Sequence, residues 1–266
     1  MTYIALDTLK THLGLESATL TKADSDRLWA ALTAAIAQVE QAAGRGFAPR
    51  RITLFHAIDP YNLSELLLDD DLLTLTSLTN GDGTLIALTE VESIGAGVLR
   101  LKNGLVFVAS TDAAQQPIQV AGVWGWHEAY ATAWRPSGDQ VVTLTTLDGI
   151  STLGVQDADG IDPTSNRTPR FMVGQLIQVN TEFFSIVAVN TSTNLLTVRR
   201  GQRGTSFETS PVGQSISIYT PSARVELLIV RWAAWLYKAP EKQMGAGIPT
   251  ALLEEARALR RVRVKS

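Results

Sequence analysis

Apolar residues repeat with two different periods along this chain, and few folds accommodate both. Between residues 24 and 44 they recur every three or four positions, and Gly44 ends the run. This apolar stripe consists of Leu28, Trp29, Leu32, Ile36 and Val39. From Arg50 onwards, apolar and polar residues alternate, which is the period of a strand with two different faces. A helix with one apolar face needs a partner surface, so we expect helices that pack together beside an antiparallel β region.

Further helices are predicted at both ends of the chain. Asp7 can cap a short helix that stops at Gly14. Near the other end, Thr220 is a candidate N-cap with Pro221 in the first helical position, and the helix should end before Pro240. Its buried stripe is Val225, Leu228, Trp232, Trp235 and Leu236. A last helix is expected from about residue 250 to about residue 260.

Turn signals divide the middle of the chain into strands. Residues 80–83 (Asn-Gly-Asp-Gly) predict one hairpin, and Asn103-Gly104 within "VLRLKNGLVFVA" predicts a second. The segment "IQVAGVWGWHEAY" supplies another strand. Between Trp134 and Asp139 the polar run "WRPSGD" is expected to break the β pattern.

Five short apolar segments after this run predict a small β-barrel or sandwich. They are "VVTLTTL", "GQLIQVN", "EFFSIVAVN", "NLLTVRR" and "GQSISIYT". The predicted fold class is therefore α+β, with N- and C-terminal helices packed together, a central antiparallel β region and an inserted small β module. The expected boundaries are 1–49 for the N-terminal helical part, 50–137 for the β region, 138–219 for the inserted module and 220–266 for the C-terminal helices and basic tail.

Composition excludes several functional classes. The 266 residues include no cysteine, so disulfides and thiolate zinc sites are impossible. The net charge of -3 argues against a protein that binds nucleic acid over its whole surface. The most apolar helical run, residues 225–237, is interrupted by Arg231 and is shorter than the roughly 20 residues that cross a bilayer. We expect neither a membrane partner nor a cofactor.

The segment "RRGQRG" (residues 199–204) raises the question of a phosphate or nucleic-acid site. A phosphate-binding loop requires a lysine and a following helix, and this segment has neither. We interpret it as a β-turn in which Gly201 and Gly204 supply positive φ angles, while Arg199, Arg200 and Arg203 lie on the solvated side.

Two acidic runs are weak candidates for metal binding. Asp69, Asp70 and Asp71 are adjacent, and a solvated turn is the favoured interpretation. Residues 156–163 resemble a calcium loop only faintly, because the terminal Glu is missing. Its acids are Asp157, Asp159 and Asp162.

Histidine patterns give no catalytic centre. His12, His56 and His127 lie in three different predicted elements, and no pairing of them has a metal-ligand spacing. We expect no enzyme activity, no catalytic residue and no metal site.

Tryptophan is concentrated in residues 123–134. Trp124, Trp126 and Trp134 could form a stacking platform for sugars or bases. Alternatively, Trp124 and Trp126 share one strand face and cover the core where the two β regions join, which we favour because large aromatic side chains are usually core or interface residues.

The order of these features resembles that of the head-to-tail connector (adaptor) proteins of long-tailed bacteriophages. The similar segments are "AAGRGF" at the end of the long helix, "TLTSLTNGDG", "QVAGVWGWHEAY" and the Trp-rich "LIVRWAAWLYK". The segment "VGQLIQVNTEFFSIVAVNTSTNLLTVRRGQRGTS" resembles the β module of the longer members. The resemblance covers nearly the whole chain.

This resemblance implies a structural virion protein of the neck, assembled in the host cytoplasm. About twelve copies would form a ring between the portal protein and a tail-side neck or tail terminator protein. Double-stranded DNA would pass through the channel without specific binding. Two alternatives stay open: a carbohydrate- or receptor-binding virion module that uses the Trp-rich segment, and a single-strand nucleic-acid binder that uses the "RRGQRG" arginines beside Phe207.

The C-terminal segment is the basic part of the chain. From Ser222 to the end there are nine Lys or Arg and four Glu, a net charge of +5. The candidates for docking on the portal are Arg257, Arg260, Arg261, Arg263 and Lys265. The alternative is an ordinary terminus whose cations complement the negative end of a helix dipole.

Overall fold

The computed structural model describes residues 2–16, 18–108, 117–147, 150–207, 209, 211–238 and 247–261. Within these ranges the fold is α+β. The helices are α1 (Leu6–Leu13), α2 (Lys22–Ala43), α3 (Ala223–Lys238) and α4 (Thr250–Arg257). The chain divides into two compact units, residues 45–127 and residues 1–44 with 128–266. No helix among the described residues has the length and apolarity needed to cross a membrane.

The strands are antiparallel throughout. The unit 45–127 contains β1 (Arg50–His56), β2 (Glu65–Leu67), β3 (Leu72–Thr79), β4 (Leu85–Ile86), β5 (Val91–Ile94), β6 (Val98–Leu101) and β7 (Ile118–Trp124). The other unit contains β8 (Trp134–Leu147), β9 (Ile150–Val155), β10 (Leu176–Val179), β11 (Glu182–Asn190), β12 (Leu195–Arg199) and β13 (Ser215–Tyr219).

Caps fix the ends of the first two helices. The Thr21 side chain accepts a hydrogen bond from the backbone N–H of Asp24 at 3.1 Å, so α2 begins slightly before the predicted start. Gly44 ends α2 with a φ of 63°, as predicted. Asp7 does not cap α1, because Ala5 holds that position and the Asp7 carboxylate pairs with Lys10 at 2.8 Å.

The helices from both ends of the chain form one layer. Four of the five predicted stripe residues of α2 are buried, and Trp29 is half-buried. In α3, Trp232 is fully buried, and its indole N–H donates to the Gln38 side chain of α2 at 2.7 Å. Helix α3 begins at Ala223, so the predicted cap at Thr220 is wrong. The first-turn hydrogen bond instead runs from the Glu226 N–H to the carbonyl of Ser222, at 2.9 Å.

The unit 45–127 holds two sheets around a common core. Their strand orders are β1-β7-β3-β4 and β2-β6-β5. The core includes Leu66, Leu78, Leu99, Phe107, Ile118, Val120 and Trp124. The hairpin predicted at residues 80–83 is confirmed, because β3 and β4 pair across it.

The second predicted hairpin is wrong, although its turn exists. Asn103 and Gly104 have φ angles of 55° and 74°, but β6 pairs with β2 and β5, and residues 105–108 form no strand. The Asn80 amide binds this segment instead. It accepts from the Val108 N–H at 2.8 Å and donates to the Val106 carbonyl at 3.3 Å, so a side chain occupies the place of a strand partner.

In the other unit, six strands close into a barrel in the order β10-β11-β12-β9-β8-β13. The sequence missed β9 and placed a break at residues 134–139, which instead belong to β8. Gly138 takes a φ of 75°, and the pairing of β13 with β8 shifts register between Ser215 and Ser217. Residues 134–139 therefore stay within one continuous strand, because a β-bulge accommodates their turn-forming residues.

Candidate functional site

Arg200 of the "RRGQRG" segment forms a buried ion pair. Its guanidinium donates to both carboxylate oxygens of Glu182, at 2.9 and 2.6 Å, and the Gly201 N–H donates to the same carboxylate at 2.9 Å. The guanidinium also lies over the rings of Phe184 and Phe207, 5.6 and 4.8 Å from their centroids. The expectation that Arg200 is solvated is wrong, because the fully buried Glu182 requires a cation.

The predicted turn itself is confirmed. Gly201 and Gly204 have φ angles of 58° and 82°. A Cβ on Gly201 would lie 2.5 Å from the Phe207 ring, so glycine is required there. Arg203 lies over the Tyr3 ring at 5.3 Å, and only Arg199 is exposed. Arg200 and Arg203, two of the three arginines proposed to bind single-stranded nucleic acid, are therefore engaged in contacts within the chain.

The acidic run at residues 69–71 does not converge on one point. Asp71 is buried and pairs with Arg45 at 3.0 Å, so a solvated position is wrong for this residue. Asp70 pairs with Arg50, and the Asp69 carboxylate lies 3.5 Å from the His56 ring. The three carboxylates thus lie beside three different basic side chains. No cluster of three metal-ligating side chains occurs among the described residues.

The acidic loop at residues 156–163 is organised by hydrogen bonds. The buried Asp139 accepts from the N–H groups of Gln156 and Asp157, each at 3.0 Å. Asp162 accepts from the N–H groups of Thr164 and Ser165, and it pairs with Arg135. Asp159 is exposed and Asp157 pairs with Arg170 at 3.4 Å. Asp139, Asp157 and Asp162 therefore hold this loop through internal hydrogen bonds and ion pairs.

The three tryptophans have different environments. Trp124 is a core residue, and its indole donates to the Ile52 carbonyl at 2.9 Å. Trp126 is half-buried and contacts the Phe47 ring, 5.8 Å between centroids. Both lie in the unit 45–127, whereas Trp134 belongs to the other unit.

Trp134 packs against the rings of Phe183 and Tyr219, with centroids 5.0 and 5.3 Å apart. Its indole donates to the Tyr130 hydroxyl at 3.1 Å. Burial of Trp124 rules out a stacking platform made of all three tryptophans, and it leaves Trp124 no exposed surface for an interface.

Sequence analysis missed a polar cavity of about 330 Å³ beside the start of α3. Its lining residues come from four separate parts of the chain and include Tyr3, Arg135, Arg167, Tyr219 and Glu226. Burial raises the pKa of Glu226, and the charges of Arg167 and Arg135 offset part of that effect. Burial also raises the pKa of Tyr219. No short sequence motif joins these residues, so no sequence signal could have found the cavity.

The basic residues near the C-terminus have different environments. Arg257 is exposed in the last turn of α4. Arg260 donates to the carbonyl of Ala42 at 2.9 Å, in the last turn of α2, where helix dipole and unpaired carbonyls favour a cation. Arg261 is half-buried, and Arg263 and Lys265 lie outside the described residues.

No protein-family model matches this chain, and a search of curated proteins finds no match either.

Proposed function

We propose that this protein is a head-to-tail connector of a long-tailed bacteriophage, a structural virion protein that forms a ring of about twelve copies beneath the portal. The observation that carries the proposal is the order of segments along nearly the whole chain. The barrel strands would be the inserted β module of the longer connectors, which comes after the central β region and before the C-terminal helices in the sequence.

The helical layer supports this proposal. The segment "AAGRGF" begins with the last two residues of α2 and continues past its end, and "LIVRWAAWLYK" lies in α3. The two helices pack together through Trp232 and Gln38. The α3 segment therefore packs against the helix that leads into "AAGRGF".

The distribution of charge also supports a structural role. Outside residues 222–266 the chain has 14 basic and 22 acidic residues, a net of -8. An acidic wall does not retain DNA through phosphate contacts, which suits a conduit. The charged clusters described above stabilise the fold through internal pairs, so they support neither a catalytic nor a metal-binding role.

Electron microscopy of the purified protein, alone and mixed with its portal protein, tests the proposal. We expect rings with a central channel that stack on portal rings. A protein that remains monomeric at every concentration, with and without portal, would contradict it. Retention of a glycan or an oligonucleotide by that monomer would favour one of the two alternatives instead.

A further inference from the structure

Two strand edges of the unit 45–127 have complementary properties. We infer that neighbouring copies join by pairing the open edge of β1 in one copy with the open edge of β5 in the next. This inference rests on the proposed function, because a closed ring needs two different, matching surfaces on every copy. Strand pairing would remove both edges from solvent in all copies.

The β1 edge is long and regular. This strand stands at the end of its sheet and pairs with β7 over seven residues without a register shift. Ile52 and Phe55 are exposed by 42% and 57% and point to opposite faces of the strand. An edge with exposed apolar side chains and no proline or bulge is a template for pairing with another chain.

The opposite edge of the same sheet is poorly suited to strand addition. Strand β4 has only two residues. The pairing of β3 with β7 shifts register between Leu72 and Thr74 and again between Leu75 and Ser77. Such bulges bend a strand and protect its edge from another chain.

The charges of the two edges are opposite. Arg51 on β1 has a buried Nε with no hydrogen-bond partner among the described residues. On β5, the Glu92 side chain is 53% exposed and lies 3.8 Å from Arg100, which is engaged more closely with Glu65 at 2.5 Å. Arg51 and the weakly engaged Glu92 therefore carry opposite charges that can pair between copies.

One antiparallel register satisfies both edges. With Glu92 opposite Arg51, Val91 lies opposite Ile52 on the other face. An ion pair and an apolar pair then occupy neighbouring cross-strand positions, each of a kind that stabilises antiparallel strands. Main-chain hydrogen bonds would supply affinity, and these side-chain pairs would select the register.

Cysteine cross-linking tests the contact directly, because the natural chain has no cysteine. Ile52→Cys and Val91→Cys are prepared as two single-cysteine proteins, mixed under assembly conditions and oxidised. Directly opposed strand residues satisfy disulfide geometry, so we expect a dimer that forms only in the mixture. Thr193→Cys, in the exposed β11–β12 turn, replaces Val91→Cys in the matched control and should give no dimer.

Charge exchange provides a second measurement that does not depend on oxidation. Arg51→Glu and Glu92→Arg should each raise the protein concentration needed for ring formation by about tenfold, and combining them in one chain should restore it. Rescue by the double variant excludes misfolding as the cause of either single effect.

The outcomes separate this inference from the proposed function. Rings that form without the mixed cross-link, or a dimer of Ile52→Cys with itself, would overturn the edge pairing and leave the connector proposal standing. Failure of the double variant to recover would also overturn it. Absence of any assembly, with portal present, would overturn both proposals.

Discussion

At the scale of single residues, the buried pair of Arg200 and Glu182 is the most consequential contact in the "RRGQRG" segment. Glu182→Gln would leave a buried guanidinium without its carboxylate partner, and we expect a loss of about 3–5 kcal/mol of unfolding free energy. Adding Arg200→Met should recover much of this loss, since the second change removes the unpaired charge. Chemical denaturation measures both effects. Glu92→Gln, at an exposed site, is the control and should change stability little.

A second residue-scale prediction concerns Glu226 in the polar cavity. Burial raises its pKa, so the folded state retains the proton at a pH where the unfolded state has already lost it. The stabilisation that the neutral Glu226 side chain provides is therefore complete below its unfolded-state pKa of about 4.3. It is lost as the pH rises through the folded-state pKa.

Gln at this position cannot ionise, so Glu226→Gln avoids that loss of stability. The variant should therefore melt about 2–4 °C higher than the natural protein at pH 7. The two proteins should converge near pH 4. An equal difference in Tm at both pH values would show that ionisation of Glu226 is not the cause.

At the scale of elements, local signals were sufficient where a single residue type decides the conformation. Gly44 and the Asn80–Gly83 turn are of this kind, because positive φ angles and tight turns have few residue solutions. Prediction from the sequence was wrong where a side chain distant in sequence determines the backbone conformation. The Asn80 side chain bonds to the backbone of Val106 and Val108, and no periodicity reports that contact.

The candidate sites show the same division. The turn at Gly201 and Gly204 followed from glycine content, but the burial of Arg200 depends on Glu182, which lies 18 residues earlier on another strand. Likewise, the polar cavity assembles side chains from both ends of the chain. Ion pairs and cavities of this sort arise from tertiary packing, so spacing alone could not reveal them.

The N-cap of α2 gives an element-scale prediction. Thr21→Ala removes the side-chain acceptor for the Asp24 N–H, and we expect a loss of about 1 kcal/mol. Thr19→Ala, two residues earlier and exposed, should have no measurable effect. Equal losses of unfolding free energy for the two variants would mean that the cap contributes nothing.

At the scale of the whole molecule, we propose two separable roles for the basic C-terminus. Arg260 binds the carboxyl end of α2 through the Ala42 carbonyl, which is a stabilising contact within the fold. We propose that the cations beyond it, Arg263 and Lys265, contact an acidic surface of the portal. A truncation that removes residues 262–266 spares Arg260 and therefore tests the second role alone.

The truncated protein should keep the Tm of the full-length chain within about 1 °C, because the described helical contacts remain. Its binding to portal rings should weaken, and binding by the full-length protein should fall as ionic strength rises, since screening acts on exposed charges. Sedimentation of portal with each protein at low and high salt measures both effects. Arg260→Ala is the complementary control: it should lower Tm while leaving the salt dependence of binding in place. Equal binding by the truncated and full-length proteins at low salt would rule out a portal-docking role for the tail.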